Sequence, residues 1–239
     1  MRIAELYASL QGEGLLAGTP SVFVRSSGCN LRCRWCDTPF TSWQPVGTER
    51  DAAEIAAAVA THGLRHVVLT GGEPLLPGDA ARVCAALRSG GGHLTVETAG
   101  SVLPPGADPA TLADLISISP KLASSAPPAE TPGDWRRRHD AARRDDDVLA
   151  LLLSAPAWQM KFVVGSRDDL DETLRWLDAL EERAGPAGLP RRRVFVMPEG
   201  VAPERLDAVT AWLRPAAEAE GVRFAPRHHI AWFGHRRGT

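Results

Sequence analysis

At 239 residues, with 44% apolar and 23% charged side chains, the chain is long enough to bury a core and too apolar to stay disordered. Its 27 basic and 29 acidic residues leave a formal charge of −2, so no basic field gathers nucleic acid. No apolar run nears the ~18 residues of a membrane span, and residues 1–6 lack the basic and apolar blocks of a secretory signal, so a cytoplasmic protein is expected.

In chain order, Leu10-Gln11-Gly12-Glu13-Gly14 by itself reads as a surface turn. Residues 21–25 predict a strand that runs into Gly28-Cys29-Asn30-Leu31-Arg32-Cys33-Arg34-Trp35-Cys36-Asp37. A helix follows over 51–62, with Ile55 and Val59 on one face. The strand at 66–69 ends in Thr70-Gly71-Gly72-Glu73-Pro74, and a helix over 79–88 carries Ala80, Val83, Cys84 and Leu87. Strands at 93–97 and 115–119 come next. Residues 123–132, rich in Ala, Ser and Pro, read as a long surface loop. Residues 134–147 join Arg136-Arg137-Arg138 to Asp145-Asp146-Asp147, a solvated, self-compensating helix face more simply than a basic docking patch.

Beyond it lie a strand at 159–164, a helix over 168–182 striped by Leu170, Leu174, Leu177 and Leu180, a strand at 193–197, and a helix over 203–219. Strands alternating with helices imply βαβ units. The expectation is one α/β domain over residues 1–239. It is an incomplete TIM-like barrel built on a parallel sheet, with a variable loop and helix insertion at about 123–158.

The chemistry begins at the cysteines. Three of four fall within eight residues, in C-x3-C-x2-C spacing, and in a reducing compartment such a group signals metal or catalysis rather than disulfides. Three thiolates on one loop ligate three irons of a [4Fe–4S] cubane and leave the fourth open to a small chelating ligand. The amino and carboxylate groups of S-adenosylmethionine (SAM) suit that open iron. A zinc site closed by Cys84 or a histidine is the competing reading, although zinc motifs usually pair two ligand clusters and this chain has one triplet. In Gly-Gly-Glu-Pro, two glycines after a strand let a ligand approach the backbone, and Glu73 adds a carboxylate.

Cys29, Cys33, Trp35 and Cys36, followed one strand–helix unit later by Gly71-Gly72-Glu73-Pro74, resemble the radical SAM superfamily. The resemblance puts Trp35 near the adenine of SAM and Gly72 and Glu73 at its methionyl end. Further segments resemble one of its families, the 7-carboxy-7-deazaguanine synthases of deazapurine (queuosine precursor) synthesis. They are the Gln11-Gly12-Glu13-Gly14 opening, Cys36-Asp37-Thr38, Glu97-Thr98-Ala99-Gly100, Ser119-Pro120-Lys121, Met197-Pro198-Glu199-Gly200 and a near-terminal His229. That likeness implies ring contraction of 6-carboxy-5,6,7,8-tetrahydropterin to 7-carboxy-7-deazaguanine with loss of ammonia. A 5′-deoxyadenosyl radical would take the C6 hydrogen, and SAM would be re-formed.

By the same resemblance Cys29, Cys33 and Cys36 hold the cluster and Thr38 touches Mg²⁺. Ser119 and Lys121 hold the ribose or carboxylate of SAM, and Met197 and Glu199 border its adenosine. Leu10, Gln11, Gly12, Glu13, Thr70 and Glu97 receive the pterin, Arg25 its carboxylate, and His229 serves as hydrogen-bond donor or proton carrier. An electron donor such as flavodoxin or ferredoxin and a homodimeric state are further implied; nucleic acid and membrane are not. The sequence departs from the family at Arg227-His228-His229, where Q-x-H is usual, and at Ala99, where Asn is common. Three rivals remain: a glycyl-radical-activating enzyme, an iron–sulfur electron carrier and a zinc-stapled module.

Overall fold

The computed structural model describes residues 1–239, the side chain of Ala187 excepted. Strands β1 (Arg2–Leu10) and β2 (Pro20–Ser26) form an antiparallel pair, followed by α1 (Pro39–Ser42), β3 (Thr48–Glu49) and α2 (Ala52–Ala60). The chain then alternates through β4 (His66–Gly71), α3 (Ala80–Ser89), β5 (His93–Thr98), α4 (Pro109–Leu112) and β6 (Leu115–Ile118). After α5 (Trp135–Ala142) and α6 (Asp146–Leu153) it resumes with β7 (Trp158–Val164), α7 (Arg167–Ala184), β8 (Val194–Pro198), α8 (Pro203–Ala219), β9 (Arg223–Phe224) and α9 (His228–Phe233).

All nine strands form one open sheet in the order β3-β1-β2-β4-β5-β6-β7-β8-β9, parallel from β2 through β9. This is the incomplete barrel that the βαβ alternation predicts. The predicted strands and long helices appear within two residues of their expected ends. α2 and α7 owe their starts to capping boxes, Asp51 with Glu54 and Ser166 with Asp169. Apolar positions of the parallel strands face the helices, so Val24, Leu69, Val96, Ile118, Phe162 and Val196 are fully buried in one core with Ile55, Trp176 and Leu213. No helix among the described residues is long and apolar enough to cross a membrane.

Three strands escape the sequence reading for physical reasons. β1 lacks clean alternation because a bulge shifts its register between Ile3 and Glu5, and one of its faces is polar. β3 and β9 have two residues each, too few to show a period. The region 123–153 also differs from expectation. It is not a surface loop followed by a wholly solvated face: Ser125, Ala126 and His139 are buried, although Arg136, Arg137 and Arg138 are exposed as expected.

Candidate active site

The C-terminal ends of the parallel strands open onto two adjoining cavities, where loops of such folds gather functional groups. The larger, about 440 Å³, is bordered by Leu10, Gln11, Gly12, Glu13, Arg25, Thr70, Glu97 and His229, every residue expected to receive the pterin. The smaller, about 320 Å³, is bordered by Cys29, Cys33, Trp35, Cys36, Met197 and Glu199. Thr38, Gly71, Gly72, Ser119 and Lys121 border both.

The cysteine loop has no regular secondary structure, so its shape is held from outside. Cys29 Sγ accepts from Leu31 N at 3.3 Å, Cys36 Sγ lies 3.3 Å from Ser42 Oγ, and Trp43 Nε1 donates to Cys33 O at 2.9 Å. Burial pushes the Cys29 thiol up to about 12, with Glu73 adding to the rise, and Cys33 up to about 11. Such thiols are inert until a metal or cation replaces their proton. All four cysteines are free, and Cys84 packs in the main core whereas Cys33 packs with Leu31 and Ala99. Cys84 therefore cannot close a zinc site or serve as fourth cluster ligand. Among the described residues no three His, Cys, Asp or Glu side chains converge around one ion. Three thiols that serve three different irons of a cubane do not need to converge so, and a neighbouring cavity for a chelating ligand fits that group.

The glycine pair is explained by close packing. A Cβ on Gly72 would lie 2.1 Å from Gly28 O, and Gly71 has φ +135° with Ser26 O at 2.1 Å from its own added Cβ. Glu73 corrects an expectation. It is fully buried and borders neither cavity; Oε1 accepts from Thr98 Oγ1 (2.8 Å) and Leu75 N (3.1 Å), and Oε2 from Ala99 N (2.8 Å). Its carboxylate braces the end of β5 and is not presented to a ligand.

The floor of the larger cavity is a charge network. Lys161 Nζ, 3% exposed, donates to Glu13 Oε2 at 3.1 Å and Glu97 Oε1 at 2.8 Å, and Glu97 Oε2 accepts from Thr70 Oγ1 at 3.0 Å. Burial alone would raise Glu13, but Lys161 and Arg227 hold its carboxyl far below the usual range. Burial would lower Lys161, and Glu97 and Glu13 reverse that, so the ammonium stays charged. Arg25 donates to Glu5 Oε2 (3.0 Å) and Tyr7 Oη (2.6 Å). Gln11 is buried and spends Nε2 on Ser21 Oγ at 2.9 Å. Lys121 donates to Ser119 Oγ at 2.9 Å and lies 5.9 Å from the Trp35 ring; among the described residues it has no ion pair.

His229 Nδ1 stands 3.8 Å from Glu13 Oε1, and burial lowers its pKa despite that carboxylate, so the ring is neutral at pH 7. Its place depends on Gly12, where an added Cβ would lie 2.5 Å from His229 Cβ. Thr38 Oγ1 is 3.8 Å from Cys36 Sγ.

Sequence reasoning missed several participants. Arg227, the residue that departs from Q-x-H, donates to Asp37 Oδ2 (2.5 Å), Gly200 O (2.8 Å) and Glu13 Oε1 (3.4 Å), tying three motifs together. The C-terminal residues Arg236, Arg237 and Thr239 also border the larger cavity. Arg237 pairs with Glu5 at 2.8 Å and lies 3.8 Å from the Phe40 ring. A buried charge opposite an acidic motif was the only available signal, and it lay in residues far apart in the chain.

Comparison with known proteins agrees with this architecture. Residues 23–146 match the Radical SAM superfamily. A 7-carboxy-7-deazaguanine synthase of Rhodopirellula baltica is 44% identical, over 99% of this chain and 88% of its own length. One from Halobacterium salinarum is 45% identical over 96% and 89%, and one from Pyrobaculum aerophilum 36% over 100% and 97%. The crystal structure of QueE from Escherichia coli superposes with a TM-score of 0.66 at 22% identity, covering 95% of this chain and 94% of its own.

Proposed function

The chain belongs to the 7-carboxy-7-deazaguanine synthases of the radical SAM superfamily, and from that premise we infer that the larger cavity receives the pterin while the smaller receives SAM beside the cluster. The enzyme is a lyase that contracts 6-carboxy-5,6,7,8-tetrahydropterin to 7-carboxy-7-deazaguanine, releasing ammonia. When bound, the [4Fe–4S] cluster and SAM supply the radical that takes the substrate's C6 hydrogen, and Mg²⁺ supplies a hard Lewis acid for substrate oxygens.

One observation carries the placement. Gly71, Gly72, Ser119 and Lys121 border both cavities, so ligands in the two lie against each other. Hydrogen transfer requires that proximity. Cys29, Cys33 and Cys36 hold the cluster, and Trp35, Met197 and Glu199 border SAM. Thr38 is the protein's oxygen for Mg²⁺, an ion that keeps most of its waters. Glu97, with its side chain 31% exposed beside the more enclosed Glu13, accepts from the donor edge of the pterin. Arg25 holds the substrate carboxylate, and Lys121, free of ion pairs, holds that of SAM. Neutral His229 has one donor and one acceptor to offer the ring. Glu73 acts on SAM only indirectly, by fixing Thr98 and Ala99.

Residues 1–239 act as one catalytic domain, in keeping with the single sheet that runs from β1 to β9. A small electron carrier such as flavodoxin or ferredoxin reduces the cluster. The four thiols suit the cytoplasm, and a homodimer is the expected state.

The test is anaerobic reconstitution with iron and sulfide, then incubation with SAM, dithionite, Mg²⁺ and the tetrahydropterin, with Cys33→Ala as control. Product mass for 7-carboxy-7-deazaguanine, absent in the control, is expected. SAM cleavage with an untouched pterin sinks the substrate assignment.

A further inference from the structure

Cys33 stands between two arginines whose backbone N–H groups are both taken by the region after β6. Arg32 N donates to His139 Nδ1 at 3.1 Å, and Arg34 N donates to Ser125 O at 2.9 Å. The remaining contacts fix the proton on the imidazole. Nδ1 accepts, so the ring carries its hydrogen on Nε2, which lies 2.9 Å from Ser125 Oγ; that hydroxyl in turn donates to Leu122 O at 2.6 Å. The relay therefore runs from the cysteine loop through His139 and Ser125 to the residue that follows Lys121, a border residue of both cavities.

His139 is fully buried, and nothing local in α5 requires a histidine there. Burial holds it down to about 4, consistent with a neutral ring. The loop is gripped from the same side by stacking, with the Arg32 guanidinium 3.9 Å and the Arg138 guanidinium 4.3 Å from the Trp135 ring centre.

We propose that His139 is a positioning residue for the iron–sulfur cluster: its Nδ1 acceptor locks the loop between Cys29 and Cys33 and ties it to the Lys121–Ser125 segment. The proposal rests on the cluster reading above. A loop without secondary structure has many conformers, and an outside acceptor for its central N–H removes those in which the thiols diverge. Apolar replacement would leave the half-buried Arg32 N–H without a partner.

Two near-isosteres separate the bonds. In His139→Asn the side-chain oxygen takes the place of Nδ1 and still accepts from Arg32. In His139→Gln the amide takes the place of Nε2, keeps Ser125 and leaves Arg32 unpaired. Each reconstituted protein is challenged with an iron chelator, and the electron paramagnetic resonance spectrum of the reduced cluster is recorded with and without SAM. Relative to wild type, His139→Gln is expected to lose cluster about tenfold faster and to show an altered spectrum, while His139→Asn stays close to wild type. Far-UV circular dichroism of the apo proteins checks folding. Imidazole ¹⁵N resonances of the wild-type apo protein, independent of any variant, should report the Nε2–H tautomer. Wild-type chelation and spectrum in His139→Gln, a His139→Asn as defective as His139→Gln, or an Nδ1–H tautomer overturns the proposal. A wild-type protein that takes up no cluster refutes the underlying reading instead.

Discussion

Lys161 shows how one buried cation organises a site. It lies between Glu13 and Glu97, and its removal would leave two carboxylates facing each other with little water. Breaking such a pair from one side costs about 3–5 kcal/mol. Lys161→Met should therefore lower the urea midpoint of the apo protein strongly, and adding Glu13→Gln should recover part of the loss. Additive effects of the two substitutions would show that the pair is not coupled. Gly12 works by steric means. Gly12→Ala must displace His229, and overpacking of this kind costs about 1–3 kcal/mol. If the displacement falls on the reacting geometry, kcat drops tenfold or more, and an unchanged kcat would remove His229 from the reaction.

At the level of elements, α5 and α6 do more than fill a connection. α5 brings His139 to the cysteine loop, and α6 is capped by Asp145, which accepts from Asp147 N and Val148 N. That docking has a pH signature. In the folded chain burial depresses the His139 pKa from 6.5 to about 4, outweighing Asp140 and reinforced by Arg143 and Lys121. The unfolded chain then binds the proton first, so the stability that neutral His139 contributes is complete above 6.5. It is lost as pH falls toward 4, by at most about 1.4 kcal/mol per pH unit. Depressed Glu13 acts lower, its contribution present above 4.5 and lost as the medium becomes more acidic. Urea melts of the apo protein should show midpoints declining between pH 6.5 and 4.5, with a shallower decline in His139→Asn. Equal slopes would place the titration elsewhere.

On the scale of the whole molecule, the sheet separates two kinds of cysteine. Cys29, Cys33 and Cys36 border a cavity, whereas Cys84 sits on α3 in the main core with its thiol pushed up to about 12 by burial. Cys84→Ala should keep wild-type iron content and cost roughly 1 kcal/mol of stability; loss of iron would reopen the four-ligand readings.

Much of this architecture was legible in residues close together in the chain. The alternation of β-branched runs with 3.6-period helices specified the βαβ order, because each period reports which side of its own element meets the core. The cysteine triplet announced the cluster, since that depends on local spacing. Glu73 was misjudged because its hydrogen-bond partners Thr98 and Ala99 lie at and just past the end of the next strand. The closing contacts were beyond reach for the same reason. Arg32 and His139 are 107 residues apart, Lys161 and Glu13 are 148, and Arg227 stands 190 from Asp37 and 214 from Glu13. The sequence by itself determined the longer strands of the parallel sheet, the four long helices, their order and the chemistry of the cysteine loop, because these follow from neighbours along the chain. Only the tertiary structure decided which buried charges pair and what holds that loop, because strand order and register bring those partners within hydrogen-bond distance.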